Sequence, residues 1–230
     1  MTPDNGRLVQ VRTRVKDSLN ALPKPKLRGW IHTITTPLSL AASIVLICLA
    51  DTTGKRWACG VYLVCSLLLF GVSALYHRVD WGRRAYKIMR RLDHCNIFLL
   101  IAGSYTPIAV SLLPYPQVRN LLLLVWLGAL AGILLSIFWP GAPRWLYVPI
   151  YILLGWVALA YMEPLRQAGG LVVIWLLVAG GLSYSIGAVF YGIRWPGRRA
   201  RYFGYHEIFH AGTVAGWTCI CIAAYFAVLS

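Results

Sequence analysis

Two histidines near the carboxyl end of the chain have the spacing of a metal-binding pair. His206 and His210 lie four positions apart, so on a helix their imidazoles share one face. Together with Glu207 they match the pattern H-E-x-x-H, in which the histidines hold zinc and the glutamate is the general base of a metalloprotease. A catalytic zinc normally has three protein ligands and a water molecule. The chemistry of this pair therefore depends on which other residues the fold brings beside it.

The elements around the pair have the composition of membrane helices. Of the 230 residues, 59% are hydrophobic and only 13% are charged, whereas a soluble domain has about 25% charged residues. Seven apolar runs are long enough to cross a bilayer, and they cover about residues 34–50, 57–77, 93–113, 118–138, 145–162, 170–191 and 204–229. We predict an all-α, polytopic membrane protein with a seven-transmembrane-helix bundle in residues 34–230 and a basic cytoplasmic tail in residues 1–33.

The distribution of basic residues predicts the orientation of these spans. Eighteen of the 22 lysines and arginines fall in the N-terminal tail and in the connections after spans two, four and six. Because basic segments stay on the cytoplasmic side, the N-terminus is expected in the cytoplasm and the C-terminus outside. The net charge of +15 is therefore interpreted as an orientation signal, not as a nucleic-acid-binding surface. The expected location is the cell membrane, crossed several times.

This topology brings further polar side chains to the end of the bundle that holds the histidine pair. His77 ends the second span, Asp93 opens the third, and Ser73 lies one helical turn before His77. Ionisable groups inside membrane spans usually face the bundle interior, because lipid is a costly environment for them. We therefore expect these side chains to meet His206 and His210 at one level.

Three histidines would provide the three nitrogen ligands of a catalytic Zn²⁺ ion, which are predicted to be His77, His206 and His210. Bound zinc lowers the pKa of its water to about 7, which supplies hydroxide for attack on a carbonyl. Asp93 is predicted to hold or deprotonate that water, and Ser73 to orient Asp93 or a substrate oxygen.

Two acidic residues have alternative interpretations. Asp93 could form only an ion pair with Arg90 or Arg91. Glu207 could be the base of the H-E-x-x-H pattern, or a residue at the cytoplasmic rim that pairs with Arg201.

The two remaining histidines are not expected in the metal cluster. His32 precedes the first span and is expected at the membrane interface, outside the cluster. His94 follows Asp93 directly and would point about 100° away from it on a helix, so a structural role is expected.

Three sequence blocks resemble the signature blocks of the hemolysin III family. They read "SALYHR" (73–78), "RRLDHCNIFLLIAGSYTPIA" (90–109) and "FGYHEIFHAGTVAG" (203–216), and "RGWIH" (28–32) is similar to the family's approach to its first span. This family comprises bacterial relatives of the progestin and adipoQ receptors, which include the adiponectin receptors. The resemblance covers essentially all seven spans.

The resemblance implies a seven-helix bundle with zinc near its cytoplasmic side. The matching positions imply that His77, His206 and His210 are the ligands, that Asp93 holds the zinc-bound water, and that Ser73 lies beside it. Alkaline ceramidases belong to the wider superfamily, so the implied chemistry is zinc-dependent amide hydrolysis of a membrane lipid. The implied roles of the bacterial branch are membrane lipid homeostasis and a cytolytic effect.

Other functions compete with a lipid hydrolase. An intramembrane protease would need a third ligand in an L-D-G-like motif, but His94 follows Leu92 and Asp93 where glycine is expected. A non-enzymatic sensor or receptor would use the same ligands for a structural zinc. A cytolytic pore would need a continuous polar lining, whereas the outer halves of the spans have almost no charge. The pore is therefore the least favoured of these interpretations.

Overall fold

A computed structural model describes residues 27–197 and 202–230 of the chain, and every regular element in these residues is helical. The α-helices are α1 (Trp30–Leu49), α2 (Thr53–Arg78), α3 (Arg83–Leu112), α4 (Tyr115–Phe138), α5 (Arg144–Gly155), α6 (Met162–Ile193) and α7 (Tyr205–Leu229). A short 3₁₀-helix, Val157–Tyr161, joins α5 to α6. The prediction of an all-α fold is confirmed for this part of the chain. Most of the predicted basic tail and the basic residues 198–201 lie outside it.

Six helical stretches in the described residues are long and apolar enough to cross a membrane. Five of them are single helices, and the sixth is the 50-residue stretch Arg144–Ile193. The prediction of several membrane-spanning helices is therefore confirmed. The count differs from the seven predicted runs because residues 145–162 and 170–191 both fall within the Arg144–Ile193 stretch.

The Arg144–Ile193 stretch folds back on itself. Near the start of α5, Arg144 Nη1 donates a hydrogen bond to the Tyr191 carbonyl oxygen at 2.9 Å, close to the end of α6. After the end of α5, Trp156 Nε1 donates to Ser185 Oγ at 2.9 Å, and Ser185 lies six residues before Tyr191 in α6. Since later residues of one helix meet earlier residues of the other, α5 and α6 run antiparallel. Gly170, at φ 75°, interrupts the helical backbone inside α6.

Contacts between side chains also join the other helices of the bundle. Asn96 Nδ2 on α3 donates to the Leu68 carbonyl oxygen on α2 at 2.8 Å. Trp217 Nε1 on α7 donates to Ser66 Oγ on α2 at 2.9 Å. On α7, a Cβ added at Gly212 would lie 2.8 Å from the Ser183 carbonyl oxygen, so glycine permits close contact with α6. Antiparallel packing places the end of α2 and the starts of α1, α3 and α7 at one end of the bundle.

Candidate metal centre

Three histidines converge at this end of the bundle. His77 lies in the last turn of α2, whereas His206 and His210 lie in the first two turns of α7. One nitrogen from each ring lies within 4.8 Å of the other two. The closest pair is His77 Nε2 and His206 Nε2, which are 2.9 Å apart. The structure thus brings together the three predicted ligands, although His77 and His206 are 129 residues apart in sequence.

The donor set of this cluster fits zinc. Nitrogen ligands on a tetrahedral zinc lie about 3.3 Å from one another, so only small side-chain adjustments separate the observed nitrogen positions from that arrangement. Imidazole nitrogen suits zinc, whereas magnesium and calcium prefer shells of oxygen ligands. The three side chains can therefore hold a metal ion.

Asp93, three turns into α3, and Ser73, near the end of α2, are both buried and line the same cavity. Asp93 is 8% exposed and Ser73 is 1% exposed, and the hydroxyl of Ser73 lies near the Asp93 carboxyl without a hydrogen-bond partner of its own. In the described residues no ion pair joins Asp93 to an arginine, and Arg90 and Arg91 are exposed. The alternative in which Asp93 only pairs with these arginines is therefore not supported.

Glu207 is a buried structural residue in this structure. It is 1% exposed. Its Oε2 accepts a hydrogen bond from the Gly204 backbone N–H at 2.9 Å, which caps the start of α7. Its Oε1 accepts from Arg28 Nε at 3.0 Å. The ion-pair partner of this enclosed carboxylate is Arg28. The alternative in which Glu207 pairs with Arg201 stays a prediction, because Arg201 lies outside the described residues.

His32 packs directly against the metal cluster, contrary to the expectation of a position at the membrane interface. Its ring is 2% exposed and stacks flat on His210, with ring centroids 3.8 Å apart and 1° between the planes. The reason is that α1 begins at Trp30, four residues before the predicted span, so its first turn lies level with that of α7. The missed signal was a polar stripe with a spacing of three or four residues along α1, which is buried within the bundle: His32, Thr35, Ser39 and Ser43.

The segment just before α1 covers the metal cluster. Arg28 reaches Glu207, as described above. Gly29 adopts φ 82°, and a Cβ added there would lie 2.9 Å from Cβ of His77. A side chain at this position would therefore collide with a predicted ligand as well as strain the backbone. His94, by contrast, points elsewhere, and its Nδ1 lies 2.7 Å from the Arg90 carbonyl oxygen.

A narrow cavity of about 120 Å³ runs from the cluster into the bundle. Its polar end is lined by His32, Ser73, Asp93 and His210. From there it follows α3 as far as Ala109, which is 16 residues or about 24 Å of helix. The lining along this length is dominated by leucine, isoleucine and alanine side chains. An apolar chain therefore suits the cavity, with a polar group placed beside the histidines.

Comparison with known proteins agrees with this architecture. Residues 20–221 match the family described as Haemolysin-III related. The chain is 31% identical to the Hemolysin-3 homolog of Bacillus subtilis (strain 168), over 82% of this chain and 89% of that protein. It is 36% identical to Hemolysin-3 of Bacillus cereus, over 70% of this chain and 74% of that protein. The Monocyte to macrophage differentiation factor of Homo sapiens is 23% identical, over 70% of this chain and 68% of that protein.

Proposed function

Since the chain belongs to the haemolysin-III related family, we propose that it is a zinc-dependent hydrolase that cleaves an amide or acyl bond of a membrane lipid. The observation that carries this proposal is the position of the three-histidine cluster at the polar end of a long apolar cavity. A lipid could place its acyl chain in the cavity and its carbonyl group beside the histidines. The proposed role of this activity is membrane homeostasis, and its partners are membrane lipids.

The proposed zinc is held by His77, His206 and His210. When bound, zinc supplies a Lewis acid and an activated water at neutral pH. The Asp93 carboxylate accepts a proton from the water as its oxygen adds to the carbonyl carbon. It then returns this proton to the leaving nitrogen or oxygen when the C–N or C–O bond breaks, so the products are a fatty acid and an amine or alcohol. The Ser73 hydroxyl orients Asp93 by donating a hydrogen bond to it.

The test of this function is the release of free fatty acid from lipids by reconstituted, zinc-loaded protein. Mass spectrometry of the lipids compares the wild type with Asp93→Ala at equal zinc content. A sensor or receptor with a structural zinc would give no release from either protein. A ceramidase-like amidohydrolase would release fatty acid from N-acyl lipids in preference to esters.

A water-filled pore receives less support than a hydrolase. The name Hemolysin-3 belongs to the Bacillus relatives and is not an observation on this chain. A conducting pore needs a polar lining that crosses the bilayer. The cavity of this chain is narrow, and its lining is predominantly apolar beyond the cluster.

The proposed topology has seven crossings with the N-terminus in the cytoplasm. Its support is the antiparallel pairing of α5 with α6 together with the 18 basic residues on the N-terminal side. The 12 residues of α5 and the five of the 3₁₀-helix rise about 28 Å, close to the roughly 30 Å of the hydrocarbon core. The Arg144–Ile193 stretch can therefore cross twice, once through α5 with the 3₁₀-helix and once, in the opposite direction, through α6.

We expect reporters fused at Arg84 and Ser230 to lie on opposite sides of the membrane. Arg84 is in the first turn of α3, at the end of the bundle that holds the cluster, and Ser230 follows α7 at the far end. A reporter enzyme that is active only outside the cytoplasm should be active at Ser230 and inactive at Arg84. Equal activity at both positions would contradict seven crossings, and activity at Arg84 alone would contradict the orientation.

Glu207→Gln should retain zinc and most of the turnover but lose stability. Both carboxylate oxygens of Glu207 already have partners, so the residue is not available as the general base of a protease. Glutamine keeps an acceptor for Gly204 but removes the counterion of Arg28, which should lower the free energy of unfolding by about 1–3 kcal/mol. Thermal unfolding, zinc content and fatty acid release test this together. Complete loss of turnover with zinc retained would restore the protease interpretation.

A further inference from the structure

The hydroxyl of Tyr151 is a buried polar group that has no role in the proposed reaction as described above for Asp93 and Ser73. Tyr151 lies on α5, lines the cavity and is 8% exposed. Its hydroxyl has no hydrogen-bond partner in the structure. A buried hydroxyl without a partner is unfavourable, because the water that it lost on folding is not replaced. The position therefore calls for a group that enters the cavity.

Three other tyrosines in the described helices satisfy their hydroxyls within the protein. Tyr147, one turn before Tyr151 on α5, donates to the Trp139 carbonyl oxygen at 3.0 Å. Tyr105 on α3 donates to the Gly155 carbonyl oxygen at 2.6 Å. Tyr225 on α7 donates to the Ala42 carbonyl oxygen at 2.6 Å. Tyr184 on α6 also lines the cavity with an unpartnered hydroxyl, but its ring lies against Gly216, ten residues after His206 on α7 and so deeper in the bundle. On α5, Tyr151 and not Tyr147 places an unpartnered hydroxyl on the wall of the cavity.

The Tyr151 ring is held in place at the polar end of the cavity. Its centroid lies 4.7 Å from that of Phe98 and 6.1 Å from that of Tyr147. Phe98 is five residues after Asp93 on α3, and the Tyr147 ring lies 6.5 Å from that of His94, the residue next to Asp93 in the sequence. The ring therefore has a fixed position near the residues that would carry out the chemistry.

We infer that Tyr151 binds the carbonyl oxygen of the acyl ligand by donating its hydroxyl hydrogen to it. This inference rests on the proposed function. The metal ligands come from α2 and α7, whereas Tyr151 comes from α5, so the carbonyl group is held from two directions. A preorganised donor at this position stabilises the negative charge that develops on the carbonyl oxygen when water attacks. The ligand class that this contact selects is a long-chain acyl compound, in preference to an alkane or a simple alkyl ether.

The test compares Tyr151→Phe with Tyr147→Phe, using lauroyl hydroxamic acid as the probe and zinc-loaded protein in detergent. We expect Tyr151→Phe to raise the dissociation constant of the probe about tenfold and to leave the zinc content unchanged. Its thermal stability without the probe should stay equal or rise, since an unsatisfied hydroxyl has been removed. Tyr147→Phe should show the opposite pattern, with unchanged probe affinity and a lower melting temperature, because its hydroxyl is bonded to Trp139.

Each other outcome rejects a stated part of this inference. Unchanged probe affinity in Tyr151→Phe would mean that the hydroxyl only binds water, and the inference would be overturned. Equal weakening by both variants would assign the effect to the packing of α5, which also overturns it. If the zinc-loaded wild type shows no saturable binding of the probe, the acyl-binding cavity itself is rejected, and the proposed function fails with it.

Discussion

Asp93→Ala should abolish fatty acid release while the protein keeps most of its zinc. A positioned general base typically contributes about 10²- to 10⁴-fold to a rate. Among the described residues the site has no second unengaged carboxylate, because both oxygens of Glu207 are occupied. The three nitrogen ligands are separate from Asp93 and stay in place when it is removed. We therefore expect turnover to fall by about this factor, with elemental analysis showing near-normal zinc.

The matched control for this experiment is Asp80→Ala. Asp80 is exposed in the connection between α2 and α3, close in sequence to the same end of the bundle but outside the cavity. Its replacement removes the same charge and should leave turnover and zinc unchanged. Turnover retained by Asp93→Ala, or lost equally in both variants, would remove Asp93 from the proposed chemistry.

The helical framework could be predicted from sequence because apolar length determines what can lie in a bilayer. The starts and ends of α4 and α7 agree with the predicted runs to within a few residues. The start of α3 does not, because Arg83–Leu112 begins ten residues before the predicted start at residue 93. Hydropathy detects the part of a helix that lies in lipid, whereas a polar first segment continues the same hydrogen-bond ladder in water.

The boundary between α5 and α6 shows a second limit of the sequence signals. The predicted run 145–162 ends just before Glu163 and Pro164, but both residues lie in the first turn of α6. Proline is tolerated in a first turn, since the N–H that it lacks has no partner there in any case. The conformational break lies at Gly170, whose φ of 75° is accessible to glycine. Pro164 thus marks the start of a helix, and Gly170 marks the interruption within it.

The grouping of the three histidines could be predicted from the sequence, whereas the contacts that enclose them could not. His77, His206 and His210 could be grouped because charge asymmetry places the ends of their helices on one side. The contacts of Arg28 with Glu207 and of His32 with His210 could not be predicted, because they depend on the depth and rotation of α1 against α7. Many basic residues precede the first span, and only tertiary packing selects which of them meets the buried carboxylate.

His77→Ala and His210→Ala should each remove zinc and lower thermal stability in detergent. Loss of an outer hydrogen-bond partner weakens metal binding by about 10- to 100-fold, and loss of a direct ligand should exceed that. The ligands come from α2 and α7, so bound zinc links two helices that belong to distant parts of the chain. Because a ligand that binds only the folded state stabilises it, added zinc should raise the melting temperature of the wild type and have no such effect on either variant.

The control for the zinc experiment is His94→Ala, and chelation separates metal binding from packing. His94 is a half-buried histidine at the same end of the bundle, with its Nδ1 engaged by the Arg90 carbonyl oxygen, so its removal should leave the zinc content unchanged. After chelation, the wild type should approach the melting temperature of the ligand variants, and any remaining difference is due to lost side-chain packing. Full zinc occupancy in His77→Ala, or no zinc in wild-type protein purified without chelator, would overturn the three-histidine site. Loss of zinc in His94→Ala would instead indicate that the variants disturb the fold of this end of the bundle, because His94 is not part of the cluster.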